Sequence, residues 1–393
     1  MSTLKVDGIR SNSATSDAIT LASNGTCTAN ITNNLSNRNK IINGEAQISQ
    51  RGTISNHGTS ATYTAIDRFA TRIGSSFNFD VTSSQSTDAP AGFYKSLKLT
   101  PDSTQTPSGS ANGGFQTKLE GQDIQDFEFG SSSAKAITLS FYAKSGSSGA
   151  GTYSIDIRAR PAAGGNDYIQ TRAFTVTSSW QRFTFTFEAN GLSTSSSLAN
   201  NNTAGLVIIW HLASGPDDQA AAKTTWASDS SMRTVSGMSN FMSATANEFY
   251  ITGVQLEVGS VATDFEHRSF GQELQLCNRY YYDVLGPEPE TDFAFATGAK
   301  YNSTYNLCVV NFPVQMRAVP TLESSTTTNS FYKVINGTTD NYNSHAMLKG
   351  SKTGARIYPD SGNDDTGSNG QAVVLHANNS SASGCQLRFN AEL

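Results

Sequence analysis

KAITLSFYAKSG, residues 135–146, alternates apolar and polar side chains with period two. Ile137, Leu139, Phe141 and Ala143 fall on one face, and Thr138, Ser140, Tyr142 and Lys144 on the other. That is the pattern of a strand with one face on a core. The same period returns at 180–189, WQRFTFTFEA, with Phe183, Phe185 and Phe187 inward and Arg182, Thr184, Thr186 and Glu188 outward. Between them, GTYSIDIRARPAAGGNDYIQTRAFTV reads as a hairpin whose turn lies in Pro161–Asn166. GLVIIWHLA (205–213) is apolar on both faces and is expected as a central strand between two layers. EFYITGVQLEVG (248–259) changes phase at Gly253, which predicts a bulge. Many short strands, Gly/Ser turns and almost no helical periodicity indicate a two-sheet sandwich over residues 41–268, best matched by a jelly roll.

Outward from this block the chain changes character twice. Residues 1–40 offer only LKVDGI and AITLAS as short strands, too little apolar surface to stand alone. They are either disordered or intertwined with sister chains as a stem. SFGQELQLCNR (269–279) is the one convincing helix, with Ser269 as its cap. It forms a joint over 269–282, followed by a second β-rich region, 283–393. There CQLRFNAEL sets Cys385, Leu387, Phe389, Ala391 and Leu393 against polar alternates. The expected architecture is all-β: stem strands, jelly-roll β-sandwich, helical joint and C-terminal β-sandwich, elongated and trimeric. No long-range repeat is present, which argues against a solenoid.

Composition excludes several classes. Of the 393 residues 37% are hydrophobic and 15% charged, with a formal net charge of −5 and no Lys/Arg cluster. Nucleic acid is therefore not expected as a partner. No stretch reaches the roughly 20 apolar residues of a membrane span, so membrane insertion is not expected. The opening residues show neither an apolar signal core nor a cleavage site. Cys27, Cys277, Cys308 and Cys385 are far apart and read as idle or buried thiols, not as a metal site. Sequons such as those at Asn24, Asn30, Asn302 and Asn336 are expected by chance in a chain so rich in Asn, Ser and Thr.

Three stretches carry a resemblance. IINGEAQISQRGT (41–53), ITGVQLEVGSVATDFEHRSFGQELQLCNRYY (251–281) and FPVQMRAVPTL (312–322) resemble modules that recur in bacteriophage and prophage tail-fibre and receptor-binding proteins. TLKVDGIRS and DAITLASNGT are similar to the short stem or attachment segments that open such fibres. Within the middle region, ING and FYITGVQLE resemble the first and last strands of jelly-roll carbohydrate-binding modules, and SSWQRFTFTFEA fits the same pattern. The resemblance implies a homotrimeric virion protein, made in the host cytoplasm and joined to other virion proteins through residues 1–40. It implies host-surface recognition but no specific glycan, and the leading expectation is a fibre that binds a host-surface glycan without catalysis. The N-terminus is shorter than the tail-anchoring domain of long podovirus fibres, which leaves tail hub, neighbouring fibre and capsid surface open as attachment points. A capsid-surface or tail connector that binds only virion proteins is one alternative, and an envelope polysaccharide depolymerase another.

Asp264, Glu266, His267 and Glu273 lie within ten residues, but their alternation with Phe265 reads as a seam between regions, with Arg268 or Arg279 pairing a carboxylate there. Glu120, Asp123, Asp126 and Glu128 could supply a glycosidase pair, although a solvated strand edge explains them better. No Gly-x-Ser-x-Gly elbow appears, and His211 sits in a buried-strand pattern. Jelly-roll modules of this kind often carry a structural calcium, for which Glu45 and Glu257 are the candidate ligands, or else plain surface carboxylates. The Asp360, Asp364 and Asp365 loop reads as a solvated turn. Sugars stack on aromatic rings, and Trp226, Tyr168, Tyr301, Tyr305 and Tyr342 lie near polar loops. They are the glycan-binding candidates, whereas Trp180 and Trp210 read as packing residues.

Overall fold

The computed structural model describes residues 6–13, 15, 19–21, 23, 27–29, 37–75, 77–228, 233–286, 292–302, 305–324, 331–361, 367–378 and 385–393. The sequons at Asn24 and Asn30 and the loop residues Asp364 and Asp365 lie outside them. Strands β1 (Gly8–Ile9), β2 (Ile19–Leu21) and β3 (Cys27–Ala29) form a small antiparallel sheet. The first two match the expected short strands; the third falls in a polar stretch with no apolar signal. Val6, Ile9 and Leu21 are exposed there.

The first lobe is a sandwich. Its strands are β4 (Phe69–Gly74), β5 (Val81–Ser86), β6 (Ser96–Pro101), β7 (Asn112–Glu120), β8 (Ile137–Ser145), β9 (Gly151–Ala159), β10 (Tyr168–Val176), β11 (Gln181–Phe187), β12 (Ala204–Ser214), β13 (Gln219–Ala220), β14 (Ala227–Ser228), β15 (Thr234–Val235) and β16 (Phe249–Val258). One sheet runs β14-β10-β9-β12-β7-β4 and faces a second, β11-β8-β16-β6-β5. The expected hairpin is β9–β10, paired from Tyr168↔Ala159 to Val176↔Gly151. β12 is flanked by β9 and β7 and buried almost throughout, as its two apolar faces require. At Gly253, with φ +62°, the register of β16 against β8 slips between Thr252 and Gln255. Only glycine adopts that backbone there without strain, and a Cβ would meet the Phe93 ring at 2.8 Å.

Aromatic rings fill the space between the sheets. Phe141 touches Phe174, Phe183, Phe185 and Trp210, and Trp210 stacks on Phe115 at 5.1 Å.

The chain then enters α1 (Phe270–Asn278), capped reciprocally by Ser269 and Gln272. The second lobe has strands β17 (Tyr281–Asp283), β18 (Ala294–Lys300), β19 (Asn306–Asn311), β20 (Thr321–Ser324), β21 (Tyr332–Ile335), β22 (Thr339–Tyr342), β23 (Ser344–Gly350), β24 (Gly354–Ser361), β25 (Ala372–Ala377) and β26 (Leu387–Asn390). A β17-β26-β20 sheet and a seven-stranded sheet, β22-β21-β25-β18-β19-β24-β23, enclose a separate core of Met316, Tyr332, Ile357, Leu375 and Phe389. The fold is all-β.

One expectation changes. LEGQDIQDFEF is not a strand edge: residues 121–127 form a 3-10 turn that buries Ile124 and Phe127; Asp123 and Asp126 are exposed, whereas Glu120 is fully buried. Apolar residues at 124 and 127 have helical, not strand, spacing.

Phe141→Ala should lower unfolding free energy in chemical denaturation by about 3–5 kcal/mol, the usual cost of deleting a buried ring. A loss below about 1 kcal/mol would show that this cluster is not the centre of the core.

Candidate functional site

The lobes meet along one face of β26. Alternation that buries Leu387, Phe389 and Ala391 sends Gln386, Arg388, Asn390 and Glu392 the other way. Glu392 enters the first lobe and is bound by Arg51, at 3.3 Å, and by Arg68. Each guanidinium also lies over a tyrosine ring from 280–281: Arg51 is 3.5 Å from the Tyr281 centroid and Arg68 3.4 Å from that of Tyr280. Gln50 bridges the lobes twice, donating to the Tyr281 carbonyl (2.8 Å) and accepting from the Asp283 N–H (3.0 Å). Arg279 clamps both oxygens of buried Glu120 at 2.9 and 2.8 Å. Arg268 lies 3.4 Å from Glu273, so both anticipated arginines hold the joint. Glu266 accepts from the N–H groups of Asn37 (2.6 Å) and Asn39 (2.7 Å), and Glu273 from that of Asn43. The acidic run at 264–273 therefore ties the entering segment to the joint; it is a seam.

Beside this lock lies a cleft of about 660 Å³. The first lobe contributes Asn56, His57 and Tyr63; the second contributes Glu323, Arg388 and Asn390. Asn56 and Glu323 are exposed, while Tyr63, Arg388 and Asn390 are partly so. The groups from the second lobe are already oriented. Glu323 accepts from Tyr281 Oη (3.2 Å) and Asn390 Nδ2 (2.8 Å), and Arg388 Nε donates to Asp283 at 2.9 Å. Planar polar side chains beside a tyrosine, fixed by neighbours but with unused donors and acceptors, suit recognition of a hydroxyl-rich ligand. A second cleft of about 520 Å³ beside α1 carries Arg268, Gln272, Gln275 and Arg279 but no Tyr, Trp or Phe ring.

The residues expected from sequence do not converge. Trp226 is buried edge-on against Phe129, its ring 5.4 Å away, and Tyr342 is buried under His345, whose Nε2 lies 2.7 Å from its hydroxyl. Neither ring offers a face to a sugar. Tyr168 is partly exposed and its hydroxyl lies 3.3 Å from Ser193 Oγ. Tyr301 is 68% exposed, and its N–H donates to the Tyr305 carbonyl at 2.8 Å. Tyr305 packs on Tyr358 at 4.8 Å, so these tyrosines form a separate patch on the second lobe. Trp210 is buried, and half-buried Trp180 packs on Tyr250 and donates to Asp88 at 3.0 Å.

Glu45 and Glu257 do not fit a cation. Glu257 accepts from Gln255 Nε2, the Thr263 N–H and Thr263 Oγ1 at 2.7–2.9 Å, and Glu45 is 2.9 Å from His267 Nδ1. Only one Glu45 oxygen is left without a partner. Among the described residues no group of three or more His, Cys, Asp or Glu converges to hold a metal. Cys277, Cys308 and Cys385 are buried free thiols. His211 is a buried histidine 3.5 Å from Asp156.

No protein-family profile matches the chain, and no curated protein matches it in sequence. Among solved structures it is similar to the enzymatically active domain of tailspike protein 4 of bacteriophage CBA120, with 13% identity and TM-score 0.28 over 56% of this chain and 21% of that one. The chain thus spans about a fifth of that protein's length. It is also similar to a xylan-binding domain from Paenibacillus barcinonensis, with 12% identity and TM-score 0.27 over 56% and 93%. A family 11 carbohydrate-binding module from Clostridium thermocellum, in complex with a mixed-linked tetrasaccharide, aligns at 13% identity and TM-score 0.27 over 51% and 91%.

His57 walls the cleft, and burial lowers its imidazole to about 4. The unfolded imidazole takes up its proton near pH 6.5. The stability it supports is complete above that pH and lost as pH falls through about 4. Burial raises Asp67 to about 6, which acts in the opposite sense over that range. The comparison that isolates the histidine is wild type against His57→Asn in urea. The stability margin between them should shrink on going from pH 7 to pH 4; a constant margin would show that the ring titrates freely.

Proposed function

We propose that this chain is a structural protein of the bacteriophage virion surface that attaches the particle to its host by binding a glycan, without catalysis. The observation that carries the reading is the inter-lobe cleft, where Tyr63, Glu323, Arg388 and Asn390 are held in place by hydrogen bonds before any ligand arrives. Preorganised polar groups lose little entropy on binding. The likeness of residues 41–53, 251–281 and 312–322 to tail-fibre modules supports the virion setting. In this reading residues 1–40 form the stem, 41–268 the jelly roll, 269–282 the joint and 283–393 the C-terminal lobe. The apolar side chains exposed on β1 and β2 support a homotrimer in which sister stems cover them. Single sugar contacts are weak, and three copies per fibre raise avidity.

Hydrolysis is disfavoured by the cleft's acid content. Glycosidases use a pair of carboxyl groups flanking the bond, and Glu323 is the one carboxylate among the cleft's described lining residues.

The test is to incubate labelled protein with phage-sensitive cells and their purified envelope polysaccharide. Adsorption without released oligosaccharide is expected; no adsorption favours a connector, and released oligosaccharide a depolymerase. Asn390→Ala should weaken adsorption about tenfold, the scale of a hydrogen bond lost to a ligand. Loss of adsorption in Tyr301→Ala instead would move the site to the tyrosine patch.

A further inference from the structure

On the other side of the Ala61–Tyr63 segment a smaller cleft, of about 280 Å³, opens on the outer face of the six-stranded sheet; Ala61 lines both clefts. Strand register builds it. Across β9, β12 and β7, Arg158, Val207 and Lys118 stand opposite one another in one row. Asp156, Ile209 and Gln116 form the next row, and Ser154, His211 and Gly114 a third, which β4 extends with Arg72. Residues directly opposite share a face, and adjacent strands lie about 4.8 Å apart. Arg158 and Lys118 therefore flank buried Val207 across roughly 10 Å of backbone, the width of a sugar ring with its substituents. Val207 and Ile209 supply an apolar floor, with cations on several sides.

The charges do not balance. Within these three rows Asp156 is the acidic residue; Arg158 Nε donates to it at 2.7 Å and His211 lies beside it. Arg160 is half-exposed at the rim, 3.8 Å from Asp167. Lys118 donates to the backbone oxygen of Leu393, and Arg72 to the Ile73 carbonyl. Among the described residues Arg72 has no carboxylate within ion-pair distance. The excess acts back on the groups themselves. Burial first, then Arg158 and Arg233, bring the Arg72 pKa down to about 10, despite Asp156 and Asp218. Burial, then Arg160 and Arg68, lower Lys118 as well.

We infer that this cleft binds an acid group carried on a saccharide: a carboxylate, sulfate or phosphate seated among Arg72, Lys118, Arg158 and Arg160, with the sugar ring over Val207 and Ile209. The inference rests on the glycan-binding reading and narrows its ligand to an acidic polysaccharide, whose chain continues past Ala61 into the inter-lobe cleft. A nucleic acid fits less well. It presents a charge about every 1.7 Å of duplex, which a chain of net charge −5 repels, and the cleft lining has no ring on which a base could stack. Saccharide acids are spaced ring by ring and meet only the local cations.

Titration calorimetry of the whole chain tests this with oligogalacturonate, its carboxyl-reduced neutral form, dextran sulfate, phosphorylated mannan and a dT oligonucleotide. At least one acidic saccharide should bind, more weakly at higher salt, and which one binds identifies the acid. Arg72→Gln and Arg160→Gln should each weaken that binding about tenfold, as expected for one charge-assisted contact. Arg160 is at the rim, so its variant keeps the test valid if Arg72→Gln melts early. Equal binding of the neutral form, untouched by both variants, would overturn the acidic assignment and leave glycan binding standing. Absence of binding to every saccharide would overturn both. Tighter binding of dT than of any saccharide would make the cleft a nucleic-acid site.

Discussion

Glu392 sits between Arg51 and Arg68, and both guanidiniums rest on tyrosines that begin the second lobe. Buried charges are costly to dehydrate, and such a cluster is stable only when every member has partners. Here burial alone would lower the Arg68 pKa, but Glu392, Tyr280 and Tyr63 outweigh it and hold the group above its ordinary value. The backbone of Arg68 carries φ +73°, a conformation uncommon for a residue with a side chain. Its guanidinium also donates to the Lys118 carbonyl at 2.9 Å, which ties that strained turn to β7. Removing one member would strand the others, at a cost of about 3–5 kcal/mol. The cluster fixes the second lobe against the first, and both clefts take their walls from that placement.

Side chains from both lobes fasten the joint at several points. Gln50, Arg51, Arg279 and Arg317 each reach across the joint. Arg317 Nη1 donates to the Asn202 carbonyl at 3.2 Å, and Asn202 Nδ2 returns a bond to the Arg317 carbonyl at 2.6 Å. With contacts spread around the joint, the polar groups of the clefts are preset by the fold. A ligand then loses little to ordering the protein.

Much of the fold was legible because period two is a local signal. The runs at 135–146, 180–189 and 385–393 declared their faces, Gly253 its bulge, and Ser269 the helix cap. The alternation of 385–393 even listed the polar row Gln386, Arg388, Asn390 and Glu392, though not what it would face. The clefts were illegible for a physical reason. Their walls come from residues as distant as Tyr63 and Asn390, or Arg72 and Arg158, brought together only by sheet register and lobe docking. Aromatics near loops misled at Trp226: its backbone N–H donates to the Asn190 carbonyl, and its ring is buried against Phe129. Glu120 looked solvated because its partner, Arg279, lies 159 positions along the chain.

Scanning calorimetry tests the lock most directly. With the lobes held by the Glu392 cluster, the wild-type chain should melt in one transition whose calorimetric and van't Hoff enthalpies agree, and Glu392→Ala should resolve it into two. Two independent transitions in the wild type, unmoved by Glu392→Ala, would contradict the account.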